Sequence, residues 1–373
     1  MLKNKTYGIL LIFIVLSFSV LIKSEHFIYE YESPRIIYGT CAIFLLGLFA
    51  IINIDKPHNL NLSQFILSLL LIFLFLTQIP QRNNYFLIGT GSGLISFFLI
   101  TSIYIKNNER VMIFIGLGSI QVLICLFQYI GVLSSGNAYF AITGSFDNPN
   151  TTALLFLCCL PHSIYYYFRS KKKVVLFYVC MVFACLLILN SRSVFFAVLM
   201  FLAIYIFKKH KKYTLPLVLF IGLSCIFLFL LKKDSALGRM YIWEVSIKSF
   251  DDDIFFGKGT NGFSINYMLN QAEYMRTHVN DKFKMLAGDI GTPYNQYLFW
   301  LINYGLIFML LITIWFINYF RDFDFIYNPN KVLIFFIMIS AMFYYPFNYF
   351  FIICILLLGL SANCNQKSSF IIM

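Results

Sequence analysis

Apolar runs long enough to cross a bilayer recur along almost the whole chain, and no other feature limits its fold so strongly. They read at 7–22, 35–53, 62–79, 85–105, 111–133, 150–168, 174–190, 193–207, 214–231, 294–319, 331–345 and 347–362, about twelve in all. A spanning helix needs roughly 20 such residues. In lipid every backbone polar group must be satisfied internally, which leaves helices or a closed barrel. Runs that are continuous rather than alternating choose helices. The fold expected is all-α, a polytopic membrane protein. The last two runs are short and tightly joined by Tyr345, Pro346 and Phe347, so a single re-entrant hairpin is an alternative for them. The first run follows Lys3 and Lys5 and lacks a small-residue cleavage site after it, which suggests a retained anchor.

The charges assign the loops to sides. With a cytoplasmic N-terminus, the alternating loops place sixteen basic residues inside, including the runs RSKKK (169–173) and KKHKK (208–212). The short outer loops hold Lys23, Arg35, Arg82 and Arg192. This positive-inside bias accounts for much of the net charge of +12. The basic runs read as topology signals that also suit anionic headgroups; they lack the aromatic interleaving and soluble fold expected of a nucleic-acid partner. Both termini then face the cytoplasm. In a bacterium the chain would sit in the inner membrane, with 134–149, Arg192 and one large loop, 232–293, on the periplasmic side.

All sixteen acidic residues fall in loops or at helix ends, which argues against an ion-coupled transporter carrying ionisable groups at depth. No internal repeat of the transporter kind is visible. His162 is the titratable group at depth, and its plainest role is a hydrogen bond between helices. Eight of the nine cysteines lie inside apolar runs and none lies in the large loop. Neither a disulfide framework nor a metal site is indicated, and Cys158-Cys159 reads as packing.

Three outer segments are polar. The first is ITGSFDNPNTTA (142–153), in which Gly144, Asn148 and Pro149 are turn residues and Asn150 or Thr151 can cap the next span. It is either a helix-entry loop or a substrate-facing one. The second, NSRS (190–193), places Arg192 between Ser191 and Ser193 at a tight helical turn. Arginine there either snorkels to headgroup phosphates or pairs with a phosphate through its planar, permanently charged fork. The third begins SALGRMYIWEVSIKSF (235–250), which reads as an interfacial helix. Met240, Trp243, Ile247 and Phe250 form an apolar stripe suited to a membrane surface, and Arg239 opens the helix from beside Gly238. An arginine near that end suits a phosphate or an ordinary headgroup contact. Asp251, Asp252 and Asp253 follow and read as solvated acids. Next, Gly257, Gly259 and Gly262 match a dinucleotide-binding fingerprint letter for letter, but the surrounding βαβ pattern that such a site requires is missing. Turning the chain tightly is the expected use of these glycines.

In this order and topology the segments resemble the O-antigen ligase and O-antigen polymerase superfamily of bacterial membrane enzymes. The resemblance rests on Gly144-Ser145-Phe146-Asp147-Asn148-Pro149-Asn150, on Ser191-Arg192, and on Arg239 and Trp243 followed by Gly257, Gly259, Gly262 and Phe263. It continues in PYNQYLFWLINYGL (293–306), with Asn295, Tyr297 and Gly305. It covers about 140–306. Upstream of 140 only the hydropathy agrees.

The resemblance implies transfer of a glycan from an undecaprenyl-pyrophosphate carrier onto a lipid A core sugar, a growing glycan or a protein hydroxyl, without cofactor or metal. It makes Arg192 and Arg239 the pyrophosphate ligands, with Asn148, Asn150, Ser191, Trp243, Asn295 and Tyr297 lining the glycan or shaping the loops. The family's histidine beside the last asparagine is replaced, since Thr292 and Tyr294 stand there. His278 and Asp289 are the candidate bases that remain. Expected divisions are N-terminal helices over 1–139, a ligase-like core over 140–319 that includes the loop 232–293, and C-terminal helices over 320–373. Three readings stay open: a ligase, a polymerase, and a non-catalytic lipid-glycan transporter or degenerate binding subunit.

Overall fold

The structure is a computed structural model that describes residues 2–24, 33–42, 105–213, 233–248, 254–259, 262–277, 290–321 and 326–361, together with Phe250, Gly288 and isolated helical positions within 94–101 and 216–230. It is all-helical among those residues. The helices are α1 (Leu2–Leu21), α2 (Asn107–Ile130), α3 (Pro149–Ser170), α4 (Lys173–Leu189), α5 (Arg192–Lys209), α6 (Lys233–Ile247), α7 (Gly262–Thr277), α8 (Gln296–Phe320), α9 (Pro329–Ser340) and α10 (Phe350–Leu360). Eight of the apolar runs read from the sequence coincide with α1–α5 and α8–α10. The runs 35–53, 85–105 and 214–231 are described in part, and 62–79 lies outside the described residues. Two helices, Asn108–Ile130 and Gln296–Phe320, are by themselves long and apolar enough to cross a membrane.

The centre of the bundle is α3, which packs against α2, α4 and α9. Its start is written locally. The Asn148 carboxamide accepts from the Asn150 N–H at 2.9 Å, and Pro149 supplies the preset first helical residue. Residues 153–159 of α3 are then buried on every side, Cys158 and Cys159 among them. Between α3 and α9, the His162 ring donates through Nε2 to Asn330 Oδ1 at 3.0 Å and stacks on Phe114 at 4.1 Å. This is the interhelical histidine that the sequence suggests.

Helices α4 and α5 form a tight hairpin. Asn190 closes α4 in the left-handed conformation (φ 45°), Ser191 follows, and α5 starts at Arg192. Helices α9 and α10 have 12 and 11 residues, about 18 and 17 Å at 1.5 Å per residue, less than a bilayer core. Their hairpin lies along α3 from Thr151 to His162. Its feet reach His162 through Asn330 and Arg110 through Ser361, while its tip, 341–349, reaches Thr151 at the start of α3 through Tyr344.

Helix α8 breaks at Gly305 (φ 76°, ψ −177°), and the segment 254–259 docks into the break. The Leu306 and Ile307 N–H groups donate to the Ile254 and Phe255 carbonyls, while Ile302 and Asn303 carbonyls accept from Lys258 and Gly259. Irregular backbone inside an apolar helix is tolerable only where protein satisfies its polar groups. A Cβ at Gly257 would meet the Asn303 carbonyl at 2.5 Å, and one at Gly305 the Phe255 carbonyl at 2.3 Å. The glycine run is therefore a backbone-to-backbone dock, as expected from the missing βαβ unit. Asp251, Asp252 and Asp253 lie outside the described residues.

Candidate functional site

The site is built where the α4–α5 turn, α6, the entry to α8 and the α9–α10 tip meet. Helix α6 begins at Lys233, so Arg239 stands in its second turn rather than opening it. The sequence expectation erred because Asp234 and Ser235 start the helix ahead of the apolar pattern. The helix dipole acts within the first turn, so Arg239 works through its side chain. The stripe also divides. Met240 and Ile247 are exposed, whereas Trp243 is half-buried and donates to the Pro293 carbonyl at 2.8 Å. The buried face is Tyr241, Ile242 and Val245, packed on Phe263, Tyr267 and Tyr274 of α7 and on Ile302 of α8.

Packing α6 this way brings the two arginines together. Arg192 Nη2 donates to Ser235 Oγ at 2.9 Å. Ser235 and Arg239 are four residues apart and share a face of α6. Arg192 is near enough that its charge, after burial itself, lowers the Arg239 pKa from its ordinary value. Arg239 Nη1 donates to the Phe343 carbonyl at 2.8 Å, and its guanidinium lies over the Tyr294 ring at 5.4 Å. The α9 end leaves carbonyls without helical partners. Three outside groups serve this stretch: Tyr297 Oη bonds to the Met338 carbonyl at 2.8 Å, the Gln296 N–H to Ala341 at 2.9 Å, and Arg239 to Phe343. A cation there is also favoured by the helix dipole.

Several residues singled out from the sequence serve as fasteners. Asn148 caps α3, and Asn295 caps α8 by accepting from the Tyr297 and Leu298 N–H groups. Asn150 is half-buried within the first turn of α3. Ser191 is buried, with its Oγ 3.2 Å from Ser193 Oγ, so these hydroxyls face each other. His278 and Asp289 lie outside the described residues.

The sequence reading treated Arg35 only as a topology charge. It is buried, with 1% of its surface exposed, and it holds the 142–150 loop. Its Nη2 donates to the Ser145 carbonyl at 2.5 Å, its Nε to Ile22 at 3.2 Å, and its guanidinium lies over Phe146 at 4.6 Å. From α2, Gln121 and Gln128 lace the same loop. Gln128 Oε1 accepts from Thr143 and Gly144, and Gln121 Oε1 from Ser145. An arginine at the edge of an apolar run, or a glutamine inside one, is the signal that could have found them. The tip tyrosines were missed for the opposite reason, because Tyr344 and Tyr345 look like ordinary apolar-run aromatics. Tyr345 packs its ring against Tyr294 at 5.5 Å, and Tyr344 pairs with Thr151.

A site with two neighbouring guanidinium groups can hold a multiply charged anion such as a diphosphate, through charge-assisted and bidentate bonds. A search of curated proteins and one of solved structures found no match. The O-antigen ligase family model matches residues 151–313. The match takes in Arg192, Arg239, Trp243, Asn295 and Tyr297 and begins just after the Asn148–Asn150 entry. The family is one of glycosyltransferase-like ligases, which supports enzyme activity of that general kind, and the family together with the apolar helices points to a membrane protein. The matched stretch is under half of the chain, and with the ordered motifs it supports a likeness to the O-antigen ligase superfamily.

Proposed function

We propose that this chain transfers a glycan from undecaprenyl pyrophosphate to an acceptor hydroxyl, on a lipid A core or a protein, at the periplasmic face of the bacterial inner membrane. The observation that supports it most is the pairing of Arg192 and Arg239 on one face of α6. Two cations held near each other repel, and a bound dianion offsets that cost. In the transfer, the acceptor oxygen bonds to the anomeric carbon while the bond from that carbon to the phosphate oxygen breaks. The acceptor proton goes to a base, and undecaprenyl pyrophosphate leaves with the charge. Preorganised cations at the leaving group stabilise such a charge as it develops. A base of suitable pKa assists at the acceptor, and His278 and Asp289 remain the candidates in this chain. No metal or cofactor is needed for this scheme. The cytoplasmic termini and the periplasmic loop 232–293 follow from the charge bias.

A strain lacking the protein tests this reading when its surface glycans are separated by size. Loss of long chains from the surface with full-length glycan accumulating on the carrier supports a ligase. Single repeat units left on their normal acceptor instead indicate a polymerase, with the same carrier chemistry. Unchanged surface glycans contradict both.

A further inference from the structure

Tyr294 has an unusual backbone for its size. Among the described residues, three other than glycine adopt positive φ: Lys171, Asn190 and Tyr294. Lys171 and Asn190 cap the C-terminal ends of α3 and α4, where left-handed residues are common. Tyr294 (φ 52°) closes no helix; it lies two residues before α8. A bulky residue there is strained, and such strain persists only where the surroundings fix it, often at ligand sites.

The surroundings do fix it. On one side the Trp243 Nε1–H holds the Pro293 carbonyl, and on the other Asn295 caps α8. The ring is set between the Arg239 guanidinium, 5.4 Å from its centroid, and the Tyr345 ring at 5.5 Å. None of these contacts uses the phenol hydroxyl. It makes no hydrogen bond to a described residue, and the side chain is only half-buried. Beside it, Arg239 spends one N–H on Phe343 and makes no other hydrogen bond among the described residues. The strain therefore holds an unused hydroxyl next to a guanidinium with unused donors.

We propose that Tyr294 is a ligand-binding residue whose hydroxyl donates to an oxygen of the diphosphate held by Arg192 and Arg239. The assignment rests on the diphosphate reading of the arginines. A hydroxyl suits this place because it adds a donor without adding a third cation to two that already repel. The ring also supports Arg239 from below through its π face, so one side chain orients the arginine and completes the anion's hydrogen bonding.

The test is binding of inorganic pyrophosphate to the full-length protein in detergent by titration calorimetry at fixed ionic strength, with thermal unfolding of each ligand-free variant as the control. Tyr294→Phe keeps the ring, and with it both ring contacts. It is expected to unfold at the wild-type temperature and to bind pyrophosphate about tenfold more weakly, the loss of one hydrogen bond to a charged group. Arg192→Gln and Arg239→Gln are expected to lose more. If both arginine variants weaken binding and Tyr294→Phe binds like wild type, the Tyr294 assignment is overturned and the diphosphate reading stands. If the wild type binds no pyrophosphate, or if the arginine variants bind as tightly as it does, the diphosphate reading fails and this assignment fails with it.

Discussion

The protein carries two clusters of buried or half-buried polar groups, at the feet and at the tip of the α9–α10 hairpin, and they are finished differently. At the end of α2 near α10, Arg110 is fully buried, and its Nη2 reaches the Thr101 carbonyl at 3.4 Å and Ser361 Oγ at 3.2 Å. His162, 1% exposed, is bonded to Asn330 and stacked on Phe114. At the α6 end, Arg239 is half-buried, makes one hydrogen bond among the described residues, and lies close to a second cation and a strained tyrosine. Deep burial with bonds to neighbouring helices is how a bundle usually accommodates interior polar groups, although Arg110 Nε and His162 Nδ1 are buried outside those bonds. Partial burial with donors left over and like charges adjacent is costly in the absence of a ligand and favourable with an anion. The first cluster fastens helices; the second is the one we propose takes the diphosphate.

The largest effect expected is on transfer. Arg192→Gln and Arg239→Gln should each lower the transfer rate by about 100-fold or more, as removal of a donor to a developing anion does elsewhere. Arg239→Gln should also lose about 1 kcal/mol of stability with its bond to the Phe343 carbonyl, measured by thermal unfolding in detergent. Gly305→Ala comes next. A Cβ at that position collides with the Phe255 carbonyl and forces positive φ on alanine, so a stability loss of about 3 kcal/mol is expected. His162→Ala sharpens the contrast. It should cost about 2 kcal/mol by stranding Asn330 and opening space beside Phe114, with the transfer rate per folded molecule unchanged. A His162→Ala protein that is stable yet inactive would break the distinction between the clusters.

The smallest effect concerns pH. Burial raises the Asp147 carboxyl above its ordinary 3.8, against the opposing pull of Arg35 and of its own loop backbone, with Tyr345 and Tyr349 also facing it. The folded state then holds this proton more tightly than the unfolded chain does. Stability contributed by the group is full below pH 3.8 and declines as pH rises through the raised value. Asp147→Asn should flatten that decline in unfolding midpoints measured across the acid range.

Much of the fold was legible because lipid leaves a chain few options. Eight of the apolar runs became helices. The caps were less legible: Asn148 rather than Asn150 or Thr151 caps α3, and Asn295 caps α8. Arg192 was legible as a cation at a turn and Arg239 as one near a helix start. Their proximity was not, because it depends on Ser235 and Arg239 sharing a face of a helix that starts two residues earlier than its apolar pattern does. The Tyr294 strain and the docking of 254–259 into the α8 break are backbone events between segments distant in sequence. A glycine run announces that some close approach occurs and leaves open where. Arg35 shows the converse limit. One letter counted as a topology charge turned out to hold the loop that enters α3.

The most direct measurement is in vitro transfer by the purified full-length protein in lipid nanodiscs, with undecaprenyl-pyrophosphate-linked glycan as donor and lipid A core as acceptor, for the wild type, Arg192→Gln and Arg239→Gln. The account predicts glycosylated acceptor and released undecaprenyl pyrophosphate with the wild type, and near-complete loss of both with either variant while each protein stays folded. Wild-type rates in both folded variants would contradict it.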